Sequence, residues 1–406
     1  MNLSTGILNA PRSRFDKLQV AALAGLMLLG AAFVYSASMA NEANGAVAWH
    51  NQSWVRQILW YVVGTGAAAG LSLLDYRTIS RWAMVIYWAS LLPLIAVLVP
   101  GIGSTKGWGA MRWIDLGFWQ FQPSEFAKLS FILALAHQLS RPVDELALPG
   151  NFFKPVGMML LPFLLIMKEP DLGSALVLLP TGLLMMFVAG TPRRYLIRSV
   201  GAMGVLGALF LVDVLFAPPN WQVKLQDYQK RRLMVYFDRE YAPRSGASRE
   251  DRERLRKLQF DDSHNVRQAL ISVGSGGLTG KGWRRGTQNA LGYLPRAVAH
   301  NDFIFSVIAE EKGFIGSVTV LTLYGLVLFT GIRTASQARD RLGKLLAVGV
   351  VALLFSHVFI NIGMNIRIMP VTGVPLPLLS YGGSSVLGSL IAMGLLQSVY
   401  IYRKAY

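Results

Sequence analysis

The chain has 406 residues, 53% hydrophobic and only 15% charged; soluble domains carry about 25% charged residues, so an ordinary soluble protein is excluded. It has no cysteine, which excludes disulfides and thiolate-bound metals. A formal charge of +17 could suit nucleic acid, but no nucleic-acid-binding motif accompanies it, and positive-inside loops beside anionic lipid account for it.

Arg12, Arg14 and Lys17 precede an apolar run from about Leu18 that is longer than the core of a cleaved signal; it reads as a retained first helix. Runs long enough to cross a core of about 30 Å lie near 18–39, 55–74, 82–100, 122–140, 155–169, 171–190, 196–217, 303–331, 343–365 and 378–401. Lipid leaves no partner for free backbone groups, so such runs form helices. The expected fold is an all-α polytopic membrane protein with ten transmembrane helices, residues 1–406 forming one integral membrane domain. Lys168-Glu169-Pro170-Asp171 divides the fifth run from the sixth, because Pro disfavours continuing a helix.

Alternate loops carry the cations: Arg77 and Arg81; Arg141 and Lys154; Arg193, Arg194 and Arg198; Arg333, Arg339, Arg341 and Lys344; Arg403 and Lys404. Both termini are therefore expected in the cytoplasm. The segment 218–301, between helices 7 and 8, is expected outside although it holds about twice as many Lys and Arg as Asp and Glu; loops this long escape the charge rule. Arg249 to Lys257 mixes signs as an exposed helix does, and Gly274-Ser275-Gly276-Gly277 and Gly280-Lys281-Gly282 mark turns.

Four groups could carry chemistry. Asp302 ends that basic segment and opens the eighth run, where it is either a helix cap or a base beside His300; Glu310 and Glu311 follow two turns further in, unless they pair with Lys312. Glu125 and Lys128, spaced i and i+3, share a face of the fourth helix, as a self-neutralising pair or as the wall of a cavity where Lys128 meets a phosphate. Lys106 and Arg112 stand nearby among Trp108, Trp113 and Trp119, an interfacial belt. Asp171 opens the sixth run, as a cap or a site residue. The stretch Pro370 to Ser385, with Ser380 and Ser384, is too rich in Pro and Gly for a helix and must line a cavity or be buried in protein. Cations suit a phosphate or pyrophosphate and a base suits a hydroxyl. The residues alone reach a membrane protein that handles an anionic, lipid-linked substrate at its outer surface.

Over nearly its whole length the chain resembles the SEDS family (shape, elongation, division and sporulation proteins). The resemblance is carried by Arg112-Trp113-Ile114-Asp115-Leu116-Gly117, Gln122-Pro123-Ser124-Glu125 and Pro370-Val371-Thr372-Gly373-Val374-Pro375-Leu376-Pro377. The last has the form of the family's RodA branch rather than FtsW. Ala309-Glu310-Glu311 and Gly280-Lys281-Gly282-Trp283 with Gly286-Thr287-Gln288 lean the same way. The resemblance implies a peptidoglycan glycosyltransferase of the bacterial inner membrane. Such an enzyme polymerises lipid II onto undecaprenyl-pyrophosphate-linked glycan at the outer face during elongation, with a class B penicillin-binding protein, a transpeptidase, as partner. It implies Asp302 as the catalytic base and Glu125 and Lys128 as a functional pair. Arg112, Lys281, Gln288, His300, Asp171, Ser380 and Ser384 complete the expected substrate site. No metal-ligand set is expected, although a divalent cation (Mg2+ or Mn2+) could assist at the pyrophosphate. The chain departs from the family where Asn301 replaces Thr and where Leu294-Pro295-Arg296-Ala297-Val298-Ala299-His300 is longer than the usual approach. A lipid II flippase and a non-enzymatic scaffold for a transpeptidase are the alternatives.

Overall fold

The structure, a computed structural model, describes residues 15–42, 48–104, 111–117, 119–146, 148–217, 227–238, 249–294 and 299–403. Arg12, Arg14, Lys106, Trp108, Lys404 and the unusual Arg296, Ala297 and Val298 lie outside the described residues. In chain order the helices are α1 Lys17–Glu42, α2 Ser53–Leu73, α3 Tyr76–Arg81, α4 Ala83–Val97, α5 Pro123–Leu139, α6 Val143–Leu146, α7 Pro149–Lys168, α8 Leu172–Val188, α9 Arg193–Phe216, α10 Asp227–Tyr236, α11 Arg249–Ser275, α12 Thr287–Ala290, α13 Ile304–Gln337, α14 Arg341–Asn365 and α15 Gly383–Tyr402. Three short strands, β1 Gly103–Ser104, β2 Trp113–Asp115 and β3 Gln120–Phe121, form an antiparallel meander between α4 and α5.

A helix overlies each of the ten expected runs: α1, α2, α4, α5, α7, α8, α9, α13, α14 and α15. Six of them (α1, α7, α9, α13, α14 and α15) are long and apolar enough to cross a membrane by length and composition, and α4 and α8 are shorter apolar helices. One expectation needs correction. The last helix starts at Gly383, not near 378: Leu378 has φ 62°, outside the helical region, and the three prolines before it supply no backbone donors. The segment expected as a long loop is largely helical among its described residues. It holds α10, α12 and the 27-residue α11. A mostly polar helix has no broad apolar stripe to betray it.

Small residues let the helices approach closely. Along the α2–α15 seam, Gly64 lies against Leu390 and Gly394 against the backbone of Ala68. Gly349 of α14 sits on Ile132 and Met185, and Gly182 of α8 on Met159 and Phe131. At the end where α1 begins and α15 finishes, buried Asp16 pairs with Arg333 and its amide donates to Gln397 Oε1 at 3.1 Å, which ties the start of α1 to α13 and α15.

At the opposite end the α11–α12 connection is clasped onto α13. Gly313 (φ 63°, ψ −154°) breaks α13, and the exposed amides of Phe314 and Ile315 donate to Gly277 O (2.8 Å) and Leu278 O (3.1 Å). In return Lys281 N and Gly282 N donate to Glu310 O and Glu311 O, both at 3.0 Å. Glu310 Oε1 accepts from Lys281 Nζ (2.7 Å), Thr287 Oγ1 (3.0 Å) and Gln288 N (3.0 Å). Glu311 accepts from Ser36 Oγ (2.5 Å) and Arg284 N (3.0 Å). The two acids fasten this connection to α13 and α1.

Gly280 has φ 82° and faces the Glu311 backbone, where an added Cβ would collide. Gly280→Ala is expected to cost at least about 1–2 kcal/mol, the penalty of a Cβ in the left-handed region. Gly66→Ala, on α2 with open space beside it, is expected to be neutral or to gain up to about 1 kcal/mol. Thermal unfolding of detergent-purified variants measures both, and equal effects would contradict the clasp.

Candidate active site around Asp302

Asp302 lies just before α13, in a loop that no regular ladder can satisfy. Three consecutive carbonyls are instead held from outside the loop. His300 O accepts from Tyr381 N at 2.9 Å, and Asn301 O from Ser380 Oγ at 2.5 Å. Asp302 O accepts from Asn361 Nδ2 at 3.2 Å and Asn365 Nδ2 at 3.1 Å. Phe303 occupies the N-cap position of α13 with no side-chain cap bond. The Asp302 side chain therefore does not cap the helix, and one of its two sequence-based readings falls away.

The half-buried carboxyl faces a cavity of about 490 Å³ whose walls include Trp60, Trp113, Gln122, Asn301, Tyr381 and Ser384. Gly373 forms the adjoining wall in a left-handed conformation (φ 76°), and a Cβ there would stand 3.6 Å from Asp302 Oδ2 and 3.5 Å from Arg232 Nη1. Burial pushes the Asp302 carboxyl above the usual carboxylate range; Arg232 and then Arg112 pull it down, and Asp171 pushes it up.

Arg232 is among the residues that sequence reasoning missed. It sits on α10, whose Leu233 and Met234 pack with Val214 of α9, and Tyr236 Oη donates to Ile368 O at 2.9 Å. An ion pair at 2.5 Å from Arg367 to Asp238 closes the same junction. A narrow cleft behind Gly373 is lined by Arg112, Gln229, Arg232 and Thr372. Gln229 is buried, and its Nε2 has no hydrogen-bond partner among the described residues. Two guanidiniums and an amide donor suit an anionic oxygen. In the sequence Arg232 is one of many cations in a basic segment, with nothing local to single it out.

The expected site residues divide into three sets. Asp171 both caps α8, accepting from Ser174 N at 3.2 Å, and faces Arg112 at 3.7 Å; Gln122 Nε2 donates to it at 3.2 Å. Arg112 also donates to Pro170 O. Ser384 lines the cavity while its Oγ accepts from Gln122 N at 3.0 Å, and the His300 ring lies 5.4 Å from that of Tyr381. Ser380 is buried, bonded to Asn301 O and accepting from Leu376 N at 2.8 Å. These residues gather around the Asp302 loop. Lys281 and Gln288 belong to the α13 clasp and do not line the cavity.

Glu125 and Lys128 are 5% and 1% exposed and pair at 2.8 Å, which favours the self-neutralising arrangement over an open wall. Lys128 Nζ also lies 2.8 Å from His357 Nε2. His357 Nδ1 lies 2.8 Å from Leu353 O, a carbonyl that can only accept, so Nδ1 carries the proton and Nε2 accepts from the ammonium.

A family model described as a cell cycle protein (FtsW, RodA and SpoVE) matches residues 16–405. The chain belongs to this family, the SEDS family read from its motifs. It is 34% identical to the peptidoglycan glycosyltransferase MrdB of Escherichia coli strain K12, over 93% of each protein. It is 33% identical to the peptidoglycan glycosyltransferase RodA of Treponema pallidum, over 95% of this chain and 98% of that one. Among solved structures, a chain of a peptidoglycan synthase complex that coordinates polymerization and crosslinking has a TM-score of 0.73 at 30% identity, covering 97% of this chain and 99% of that one. RodA of Thermus thermophilus has a TM-score of 0.64 at 29% identity, covering 96% and 98%. The likeness is to the RodA branch, as the Pro370–Pro377 stretch indicates.

Removing one partner of a buried ion pair strands the other charge and costs about 3–5 kcal/mol. Lys128→Met is expected to lose stability on that scale, and adding Glu125→Gln is expected to restore most of it. Thermal unfolding of the single and double variants measures this; additive losses would contradict a self-contained pair.

Proposed function

We propose that this enzyme, a peptidoglycan glycosyltransferase, polymerises lipid II from ten membrane-spanning helices, with both termini cytoplasmic and the Asp302 cavity opening on the outer face of the inner membrane. Asp302 takes the proton from the 4-hydroxyl of the acceptor sugar. That oxygen attacks the anomeric carbon of the growing glycan with inversion, the carbon–oxygen bond to phosphate breaks, and undecaprenyl pyrophosphate leaves with the bonding electrons. Arg112 and Arg232 offset the charge that develops on the leaving group, and the buried Gln229 amide donates to it. Proton transfer to a positioned base is worth about 10²–10⁴-fold.

The observation that carries this reading is the Asp302 carboxyl. Its backbone is held at three successive carbonyls, its side chain faces a cavity of about 490 Å³, and Arg232 approaches the same glycine. That volume lies within the ~300–1,000 Å³ range of small-molecule sites. A divalent cation such as Mg2+ or Mn2+ would take most of its ligands from substrate phosphates, since no three His, Asp or Glu side chains converge among the described residues. Likeness to a solved rod shape determining protein, RodA, supports a role in cell elongation, and the synthase complex that coordinates polymerization and crosslinking supports a transpeptidase partner, a class B penicillin-binding protein.

Asp302→Asn is expected to lower polymer formation from purified lipid II at least about 10²-fold with unchanged thermal unfolding, as read on gels of the glycan products. Near-normal polymerisation would overturn the assignment. A flippase would instead move lipid II across vesicles without new glycosidic bonds, and a scaffold would make the substitution silent.

The pH profile tests the electrostatics. A base works only when deprotonated, so activity is lost as pH falls through its pKa. Arg232 lowers that pKa, so Arg232→Ala lets it rise and is expected to move the acid limb of kcat to higher pH. An unmoved limb would contradict the coupling of Arg232 to Asp302.

A further inference from the structure

Among the buried polar side chains of helix α14, His357, Asn361 and Asn365 stand four residues apart and so share one face. Buried amides inside a membrane helix are costly unless they are fully bonded. His357 meets Lys128, but the two asparagines are spent on the Asp302 loop. Asn361 Nδ2 bridges two carbonyls on different segments, Asp302 O at 3.2 Å and Val374 O at 2.8 Å. Asn365 Nδ2 reaches Asp302 O at 3.1 Å and Asn361 O at 2.8 Å.

The other side of Asn365 enters the first turn of α13. Its Oδ1 accepts from Ser306 N at 3.3 Å and Ser306 Oγ at 2.6 Å. In a regular turn the amide of residue 306 would donate to the carbonyl of residue 302. Here a side-chain amide stands between them, takes the donor with its oxygen and serves the carbonyl with its nitrogen. The first helical bond of α13 is thereby displaced to Val307 N and Phe303 O at 3.2 Å, and Asp302 stays outside the helix. Val374 adjoins Gly373, the glycine that both Asp302 Oδ2 and Arg232 approach. Asn361 thus fixes the carboxylate-bearing loop and the glycine wall relative to each other.

We propose that Asn361, backed by Asn365, is a positioning residue for the transfer reaction, setting where the Asp302 carboxylate stands in the cavity. The proposal rests on the reading of Asp302 as the base. Neither asparagine needs to touch substrate, so their loss acts on the chemical step rather than on binding.

Asn361→Asp keeps size and shape but removes both N–H donors and turns an oxygen toward two carbonyls. Polymerisation kinetics with purified lipid II are expected to show kcat reduced about 10- to 10²-fold, the scale of a misplaced reacting group, with KM within about threefold. Asn365→Ser leaves Asn361 in place and is expected to give a smaller loss of kcat with KM again unchanged; it carries the test if the aspartate variant does not fold. Thermal unfolding sets the folded fraction of each variant. Wild-type kcat in folded Asn361→Asp, or in folded Asn365→Ser when that variant carries the test, would overturn the proposal, as would a loss confined to KM or one that follows the folded fraction. The Asp302→Asn variant, measured alongside, separates the two readings. If it stays active the base assignment fails, and if it is inactive while the asparagine variants keep full kcat, only the positioning role fails.

Discussion

A buried carbonyl without a donor costs about 1–3 kcal/mol, and the loop before α13 presents three in succession. The donors come from Tyr381 N, Ser380 Oγ and the two asparagine amides of α14. The loop is thereby obliged to meet two segments well beyond it in sequence, the polar face of α14 and the Pro/Gly stretch 370–382. Because their polar groups are consumed in holding the loop, the Pro/Gly stretch can remain non-helical inside the bundle. Asp302 is the residue this arrangement leaves pointing into the cavity.

The charges follow the same economy. Several cations that could serve the cavity are committed elsewhere. Lys128 is held by Glu125 and His357, Lys281 by Glu310 and Thr287, and Arg333 by Asp16. The cations that act on Asp302 are Arg232 and Arg112, brought from α10 and from the segment entering β2. Burial pushes the carboxyl above the usual carboxylate range, and these guanidiniums oppose that shift.

Much of this was legible in the sequence. Apolar runs near 20 residues announced the helices, because membrane thickness and backbone satisfaction leave little choice. Asp302, Asp171 and the Pro/Gly stretch stood out by type and place. Lys281, expected at the substrate site, pairs with Glu310 29 residues away, a partner that local sequence does not reveal. Arg232 was hidden among similar neighbours, and only the packing of α10 on α9 selects it. His357, Asn361 and Asn365 were visible as polar residues at steps of four in an apolar helix, a signal strong enough to have been used. The polar helix α11 left only a short sign-mixed trace, since its first half is mostly charged and its buried face, Val266, Ala269 and Ser272, lies toward its end.

The central claim is that a carboxylate removes a proton as the glycosidic bond forms. The most direct measurement is the single-turnover rate of lipid II polymerisation in H2O and in D2O, at matched positions on the pH-independent plateau. Transfer of the hydroxyl proton in the transition state predicts a slower reaction in D2O for the wild-type protein. An identical rate in the two solvents, with chemistry shown to limit the turnover, would mean that no proton is in flight at that step and would contradict the role given to Asp302.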